Sequence, residues 1–225
     1  EWELWEDTLV IFMTDNGQAG RSAKLHGEKI SLFTAGFKTG KGSPYEGGTR
    51  VPAFWRWKGK LREGIDINAL TAHVDLFRTF ATLSGTLIPA GIQKLDGRDM
   101  LRLLNNPNAN WADRHLFIHK GRWDKGEDPN LSKFTDCAVR TERWRFVNNR
   151  VLYDISNDPY EKKDVSSQYP EVVAQLRGVY DAWWEETLPL MVNENRPYTK
   201  EQPQWVRYEQ QKRDRGIPDW NEPDI

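Results

Sequence analysis

The sequence predicts an α/β protein in two parts, an incomplete α/β layer followed by a small antiparallel sheet with a helix packed on it. Three observations carry this. Residues 8–14, Thr-Leu-Val-Ile-Phe-Met-Thr, form an apolar run that stops at Asp15-Asn16-Gly17, the pattern of a strand covered on both faces as in a parallel sheet. Four short strand candidates separated by turn residues lie between Arg114 and Asp154, the pattern of an antiparallel meander. After Pro170, the residues Val172, Leu176, Val179, Tyr180 and Trp183 recur at three- and four-residue spacing, one face of an amphipathic helix with proline in its first turn.

The first part is expected over residues 1–111. Glu1–Asp7 reads as the end of a helix running straight into the strand. Residues 18–50 read as loop, with glycines at 20, 27, 36, 40, 42, 47 and 48. Val51–Trp57 is a second extended stretch ending at Lys58-Gly59. Leu70–Leu83 reads as a helix with Leu76, Phe77, Phe80, Ala81 and Leu83 on its apolar face and Gly85 as its stop. Leu95–Leu101 leads into a short helical turn. The second part, residues 112–185, holds the strand candidates Arg114–Lys120, Phe134–Arg140, Trp144–Asn148 and Arg150–Asp154, with Asn148-Asn149 as a tight hairpin turn, and then the helix. Residues 186–225 carry five of the twelve prolines and many charges and are expected to be an extended Pro-rich tail, surface-bound or disordered. A strand as apolar as Leu9–Met13 needs parallel neighbours and helices over both faces. The chain offers one such neighbour, around Val51–Trp57, so most of that sheet is expected from elsewhere.

Composition narrows the function classes. With 32 basic and 33 acidic side chains among 225 residues and a net charge of −1, there is no basic excess of the kind nucleic-acid binding favours. No apolar run approaches the roughly 20 residues of a membrane span. The single cysteine, Cys137, excludes a disulfide framework and a multi-cysteine zinc site; it reads as a buried apolar filler. Eleven tryptophans are many for a mean hydropathy of −0.77. Those at 55, 57, 144, 183 and 184 fall in segments read as core, leaving Trp205 and Trp220 of the tail as candidates for a sugar-stacking role.

Two segments could carry chemistry. Asp15 and Asn16 stand at the carboxyl end of the apolar strand, where ligands gather in open α/β sheets, and two adjacent oxygen donors there suit a hard cation such as Ca²⁺ or Mg²⁺. A plain turn is the alternative reading. In Gly40-Lys41-Gly42-Ser43-Pro44-Tyr45-Glu46-Gly47-Gly48-Thr49-Arg50-Val51-Pro52, glycines flank Lys41, so backbone and ammonium can approach an anion closely. The spacing is not that of a P-loop, and Glu46–Arg50 reads equally well as a structural ion pair. A cation site and an anion-seeking lysine together point to metal-assisted reaction at a sulfate or phosphate ester.

At these residues the sequence resembles the C-terminal portion of the formylglycine-dependent (type I) sulfatases of the alkaline-phosphatase-like superfamily. The matching segments are Val10–Gly17, ending in Thr-Asp-Asn-Gly; Gly40–Pro52; His73-Val74-Asp75-Leu76-Phe77 through Gly85; Leu95–Met100; and Leu152-Tyr153-Asp154 through Asp158-Pro159-Tyr160-Glu161. They come in the family's order across about residues 1–185. The resemblance implies a partial alkaline-phosphatase-like sandwich over 1–111, with Asp15 and Asn16 as ligands of Ca²⁺ (Mg²⁺ in some relatives) and Lys41 in contact with the sulfate group as binding and catalytic residue. His73 reads as structural or supporting rather than catalytic, and His26, His115 and His119 match no family site. The formylglycine nucleophile, made from Cys or Ser in Cys/Ser-x-Pro-x-Arg, has no counterpart here, since Cys137 is followed by Ala-Val-Arg. It is expected upstream, in a missing N-terminal half supplied in cis or by another chain.

The implied function is calcium-dependent hydrolysis of an O-sulfate ester, on a sulfated small molecule or, favoured by the aromatics and charged tail, a saccharide. The chain itself is expected to be a fragment, inactive in isolation, of a periplasmic or extracellular enzyme. Two alternatives stand beside it: a phosphodiester or phosphonate monoester hydrolase of the same superfamily, and a non-catalytic carbohydrate-binding remnant.

Overall fold

The structure is a computed structural model that describes residues 4–20, 22–92, 94–121, 123, 127–191, 203–214 and 216. The chain forms two compact units, Glu1–Met191 and Val192–Ile225.

In the first unit, Leu4–Asp7 form a hydrogen-bonded turn rather than a helix end; residues 1–3 of that expectation lie outside the described residues. Strand β1 (Val10–Met13) follows. The segment read as loop contains a hairpin, β2 (Ser22–Leu25) with β3 (Glu28–Ser31), and a single-turn helix α1 (Glu46–Thr49). Strand β4 (Ala53–Arg56) then pairs with β1 antiparallel, in the register Val10↔Arg56 to Met13↔Ala53. The parallel arrangement expected for this pair is therefore corrected. A parallel partner needs a crossover that carries the chain back to the starting edge, usually along a helix, and the described residues between 14 and 52 hold no helix longer than one turn.

Nor is β1 covered on both faces within the described residues. Ile11, Met13 and Trp55 on one face are half-buried, with Trp55 against Phe80. Phe12 and Phe54 on the other pair with each other at 6.2 Å and are 61% and 66% exposed. Helix α2 (Asp75–Leu83) shows the same displacement. Its buried residues are Asp75 and Thr79, while Phe77, expected on the core side, is 53% exposed. Asp75 explains this orientation: its carboxylate accepts from the backbone N–H of Ala72 and Arg98 and pairs with buried Arg114 at 2.7 Å. Such a network stabilises a buried charge that would otherwise be costly. Helix α3 (Leu101–Asn105) closes this part, with Leu103 buried.

The second part is the expected meander: β5 (Leu116–His119), β6 (Cys137–Arg140), β7 (Trp144–Val147) and β8 (Val151–Asp154), each antiparallel to the next. Asn148 and Asn149 turn β7 into β8 with φ of 49° and 54°, left-handed values that asparagine tolerates, in a three-residue connection that leaves Val147 paired with Val151. Helix α4 (Pro170–Thr187) packs on one face. Cys137, Val139, Phe146 and Leu152 point to it and form a core with Leu176, Tyr180 and Trp184. Trp184 is fully buried with its Nε1 donating to Asn130 Oδ1 at 3.0 Å, and Trp183 stacks on Phe117. These tryptophans and Cys137 are core, as read. The alternate residues Ala138, Val147, Tyr153 and Ile155 face the other way, with Tyr45 packed against them. The sheet is thus buried on both faces, by α4 on one side and by the glycine-rich segment around Lys41 on the other.

In the second unit, inside the stretch expected to be extended, α5 (Pro203–Asp214) is helical. It has proline in its first turn, Lys212 and Arg213 in its last, and helix-forming Gln, Arg, Glu and Lys between. Trp205 is 62% exposed; Trp220 lies outside the described residues. No helix among the described residues is long and apolar enough to cross a membrane.

Candidate functional site

The two segments singled out in the sequence meet through their backbones. After β1, Thr14 Oγ1 donates to the Asn16 carbonyl at 3.1 Å, and His73 Nε2 donates to the Thr14 carbonyl at 2.8 Å. His73 thus ties the start of α2 to the Asp15-Asn16 turn, the supporting role read for it. Gly17 N–H donates to the Gly48 carbonyl at 2.9 Å, and Lys41 N–H to the Gln18 carbonyl at 2.9 Å. The contact is close enough that side chains are excluded. A Cβ on Gly17 would lie 1.9 Å from the Gly47 carbonyl oxygen, and one on Gly40 would lie 2.6 Å from that of Gln18. The glycines around Asp15-Asn16 and Lys41 are therefore there for backbone-to-backbone approach.

Asp15 is exposed and Asn16 half-buried. Neither side chain has a hydrogen-bond or ion-pair partner among the described residues. Both line a cavity of about 550 Å³, together with Glu46, Arg50, His73 and Arg140. Lys41 is exposed at the tip of its loop and does not line that cavity; its backbone, not its side chain, is what the structure brings to the Asp-Asn turn. Two free oxygen donors suit a hard cation, which takes about six to eight. Among the described residues no group of three or more His, Cys, Asp or Glu side chains converges on one point. The donor chemistry of Asp15 and Asn16 fits Ca²⁺ as part of a shared shell.

A second cluster lies directly behind the Lys41 loop. The Glu46–Arg50 pair is present at 3.6 Å, but Glu46 is buried and its main partners are Arg140, at 2.9 Å, and Arg145. Glu46 N–H donates to Glu161 Oε2 at 3.0 Å across 115 residues. Arg145 also donates to the Pro44 carbonyl and to Thr49 Oγ1, and its Nε lies 3.5 Å from Glu161 Oε1. Glu46, Arg145 and Glu161 are all at most 2% exposed. Burial alone would raise the Glu46 carboxyl; Arg145 and Arg140 outweigh it and hold Glu46 below the usual carboxylate value. Burial pushes Glu161 up, and Arg145 only partly offsets this. The sequence signal for this cluster was a pair of arginines inside otherwise apolar strands, opposite two motif glutamates.

A family model described as Sulfatase matches residues 1–86, the segment that contains Asp15, Asn16, Lys41 and His73. Curated relatives extend the match through the meander and α4. Mouse steryl-sulfatase is 28% identical over 81% of this chain, and N-acetylgalactosamine-6-O-sulfatase of Bacteroides thetaiotaomicron is 30% identical over 77%. The crystal structure of Ps i-CgsB superposes on 94% of the chain with a TM-score of 0.62 at 26% identity. The chain is similar to sulfatases over most of its length. It spans about a third of the length of these curated sulfatases, 32% and 36%, and 42% of the solved Ps i-CgsB chain, and corresponds to the C-terminal part of its homologues. Its mixed architecture of small antiparallel sheets and helices is that of the sulfatase structures over this part.

Proposed function

We propose that this chain forms part of the active site of a sulfuric ester hydrolase, with Asp15 and Asn16 as ligands to Ca²⁺ and Lys41 as the residue that meets the sulfo group. One observation carries the reading. The turn bearing Asp15-Asn16 and the loop bearing Lys41 are interlocked through Gly17, Gly40 and Gly48 at distances no side chain permits. A cation ligand pair and the backbone of a cationic residue, held in fixed register, support joint binding of an anionic ester. When bound, Ca²⁺ polarises ester oxygens and stabilises developing negative charge. In this reading Asp15 and Asn16 would hold the cation, and Lys41, whose side chain has no partner among the described residues, would neutralise charge on a non-bridging sulfo oxygen. His73 fixes the backbone of the ligand turn through Thr14.

The nucleophile and the remaining ligands are assigned to the N-terminal half of the fold, in cis or on another chain. The exposed pair Phe12 and Phe54 supports this, because a β-layer with a bare aromatic face is a docking surface. A sulfated saccharide is the favoured substrate class. The bacterial relative is named for a 6-O-sulfated amino sugar, and Ps i-CgsB is also solved with k-i-k-neocarrahexaose. The periplasm or the extracellular space is the proposed location. Assay of the full-length protein on an aryl sulfate and on a phosphate diester tests the reading. Faster turnover of the sulfate is expected, and preference for the diester would overturn it.

A further inference from the structure

We propose that Tyr153, Arg145 and Glu161 of the C-terminal part are positioning residues for Lys41, holding its loop by both stems so that the second sheet acts on turnover through that one lysine. The inference rests on the reading of Lys41 as the residue that meets the sulfo group. The stems of the loop are anchored separately. On the near side, Lys38 Nζ donates to Tyr153 Oη at 2.9 Å and lies 4.5 Å and 4.9 Å from the ring centres of Tyr45 and Tyr153. On the far side, Arg145 holds the Pro44 carbonyl, Glu46 and Thr49, while Glu161 accepts the backbone N–H of Glu46. Across the loop, Thr39 and Ser43 join hydroxyl to hydroxyl. Lys41 itself is left exposed, fixed only by its backbone bond to Gln18.

The anchors are costly to keep, which argues for a purpose. Glu161 is buried with φ of 55°, a left-handed conformation unfavourable for glutamate. Arg145 Nε and Glu161 Oε1 are both buried without a hydrogen-bond partner among the described residues. A well-packed apolar contact would hold a loop more cheaply than a buried ionic cluster. What the cluster adds is direction: planar, multi-point bonds from one guanidinium to a carbonyl, a carboxylate and a hydroxyl fix the loop's orientation as well as its depth. The residues involved, Glu46 and Glu161, sit in two glutamate-bearing motifs 115 residues apart.

A double-mutant cycle on the full-length protein, with an aryl sulfate as substrate, tests this. Tyr153→Phe removes one hydroxyl and leaves the ring; Glu161→Gln keeps an acceptor for Glu46 N–H and removes the charge facing Arg145. Each is expected to lower kcat/KM about tenfold, since misplacing a catalytic group by a fraction of an ångström costs rate on that scale. In a Lys41→Ala background the same substitutions should change it less than about twofold, because coupled residues are non-additive. Equal losses in both backgrounds, or no loss from Tyr153→Phe in the natural background, would overturn the inference. An unimpaired Lys41→Ala single variant would instead overturn the reading of Lys41, and this inference with it. Should Glu161→Gln fail to fold, Tyr153→Phe decides the matter alone.

Discussion

Gly17 and Gly48 meet backbone to backbone: the N–H of Gly17 donates to the Gly48 carbonyl at 2.9 Å, and a Cβ on Gly17 would fall 1.9 Å from the neighbouring Gly47 oxygen. This contact sets the spacing between the Asp15-Asn16 turn and the Lys41 loop. Gly17→Ala must therefore push the two segments apart. The cost expected is that of overpacking a tight contact, about 1–3 kcal/mol, read as a lower urea midpoint. In the full-length protein, calcium affinity and turnover should fall together. A variant with wild-type stability and wild-type activity would show that the glycine contact does not set the site.

Lys41→Ala should separate chemistry from folding. The side chain is exposed and makes no described contact, and exposed residues of this kind change stability by only about 0.5 kcal/mol. If it neutralises charge in the transition state, turnover of the full-length enzyme should fall about 10²–10³-fold, the scale for removing one preorganised electrostatic partner. Thermal unfolding and steady-state kinetics on the same preparation check both halves of the statement.

Asp15→Ala should lower calcium content, measured by elemental analysis after dialysis, while Asp15→Asn should retain part of it, because a carboxamide oxygen still ligates a hard cation without the charge. His73→Ala should act on the same quantity more weakly. It removes the bond to the Thr14 carbonyl and so loosens the turn without removing a donor. Unchanged calcium in Asp15→Ala would remove Asp15 from the ligand set.

What the sequence revealed and concealed follows from the range of the interactions. The meander was legible because its signals are local: short strand-like stretches at Cys137–Arg140 and Trp144–Val147 set apart by turn residues, and an Asn148-Asn149 turn whose two positive φ angles suit asparagine. Helix α4 was legible from its spacing and Pro170. The direction of β4 against β1 was not, because an apolar run such as Val10–Met13 records burial and carries no strand polarity. The β2–β3 hairpin was missed because Ser-Ala-Lys-Leu and Glu-Lys-Ile-Ser contain a single β-branched residue, Ile30, and none of the aromatic residues that mark strands. At the site, Asp15, Asn16 and Lys41 stood out as local motifs. Apart from Arg50, the partners of Glu46 lie 94 to 115 residues away, and nothing in the spacing of Arg140, Arg145 and Glu161 announces that they converge on it.

The buried cluster should leave an imprint on the pH dependence of stability, with two limbs of opposite sign. Glu46 is held below its ordinary value of 4.5 by Arg145 and Arg140 despite burial. A lowered carboxyl binds fewer protons folded than unfolded. Its contribution is therefore complete above about pH 4.5 and is lost as pH falls through its folded value. Glu161 is raised by burial, so the sign reverses: its contribution is present below about pH 4.5 and is lost as pH rises through its folded value. Glu46→Gln should flatten the acid limb selectively. It should also destabilise by roughly 3–5 kcal/mol near neutral pH, since it strips the charge from the partner of two buried arginines. Glu161→Gln should flatten the opposite limb and leave the acid limb in place. Asp154 and Asp164, which are also lowered, contribute acid lability in all variants, so the informative quantity is the difference between each variant and the parent in urea midpoints measured across pH 3–8. Identical profiles for Glu46→Gln and the parent would show that the Glu46–Arg145 contact carries no protonation-dependent stability.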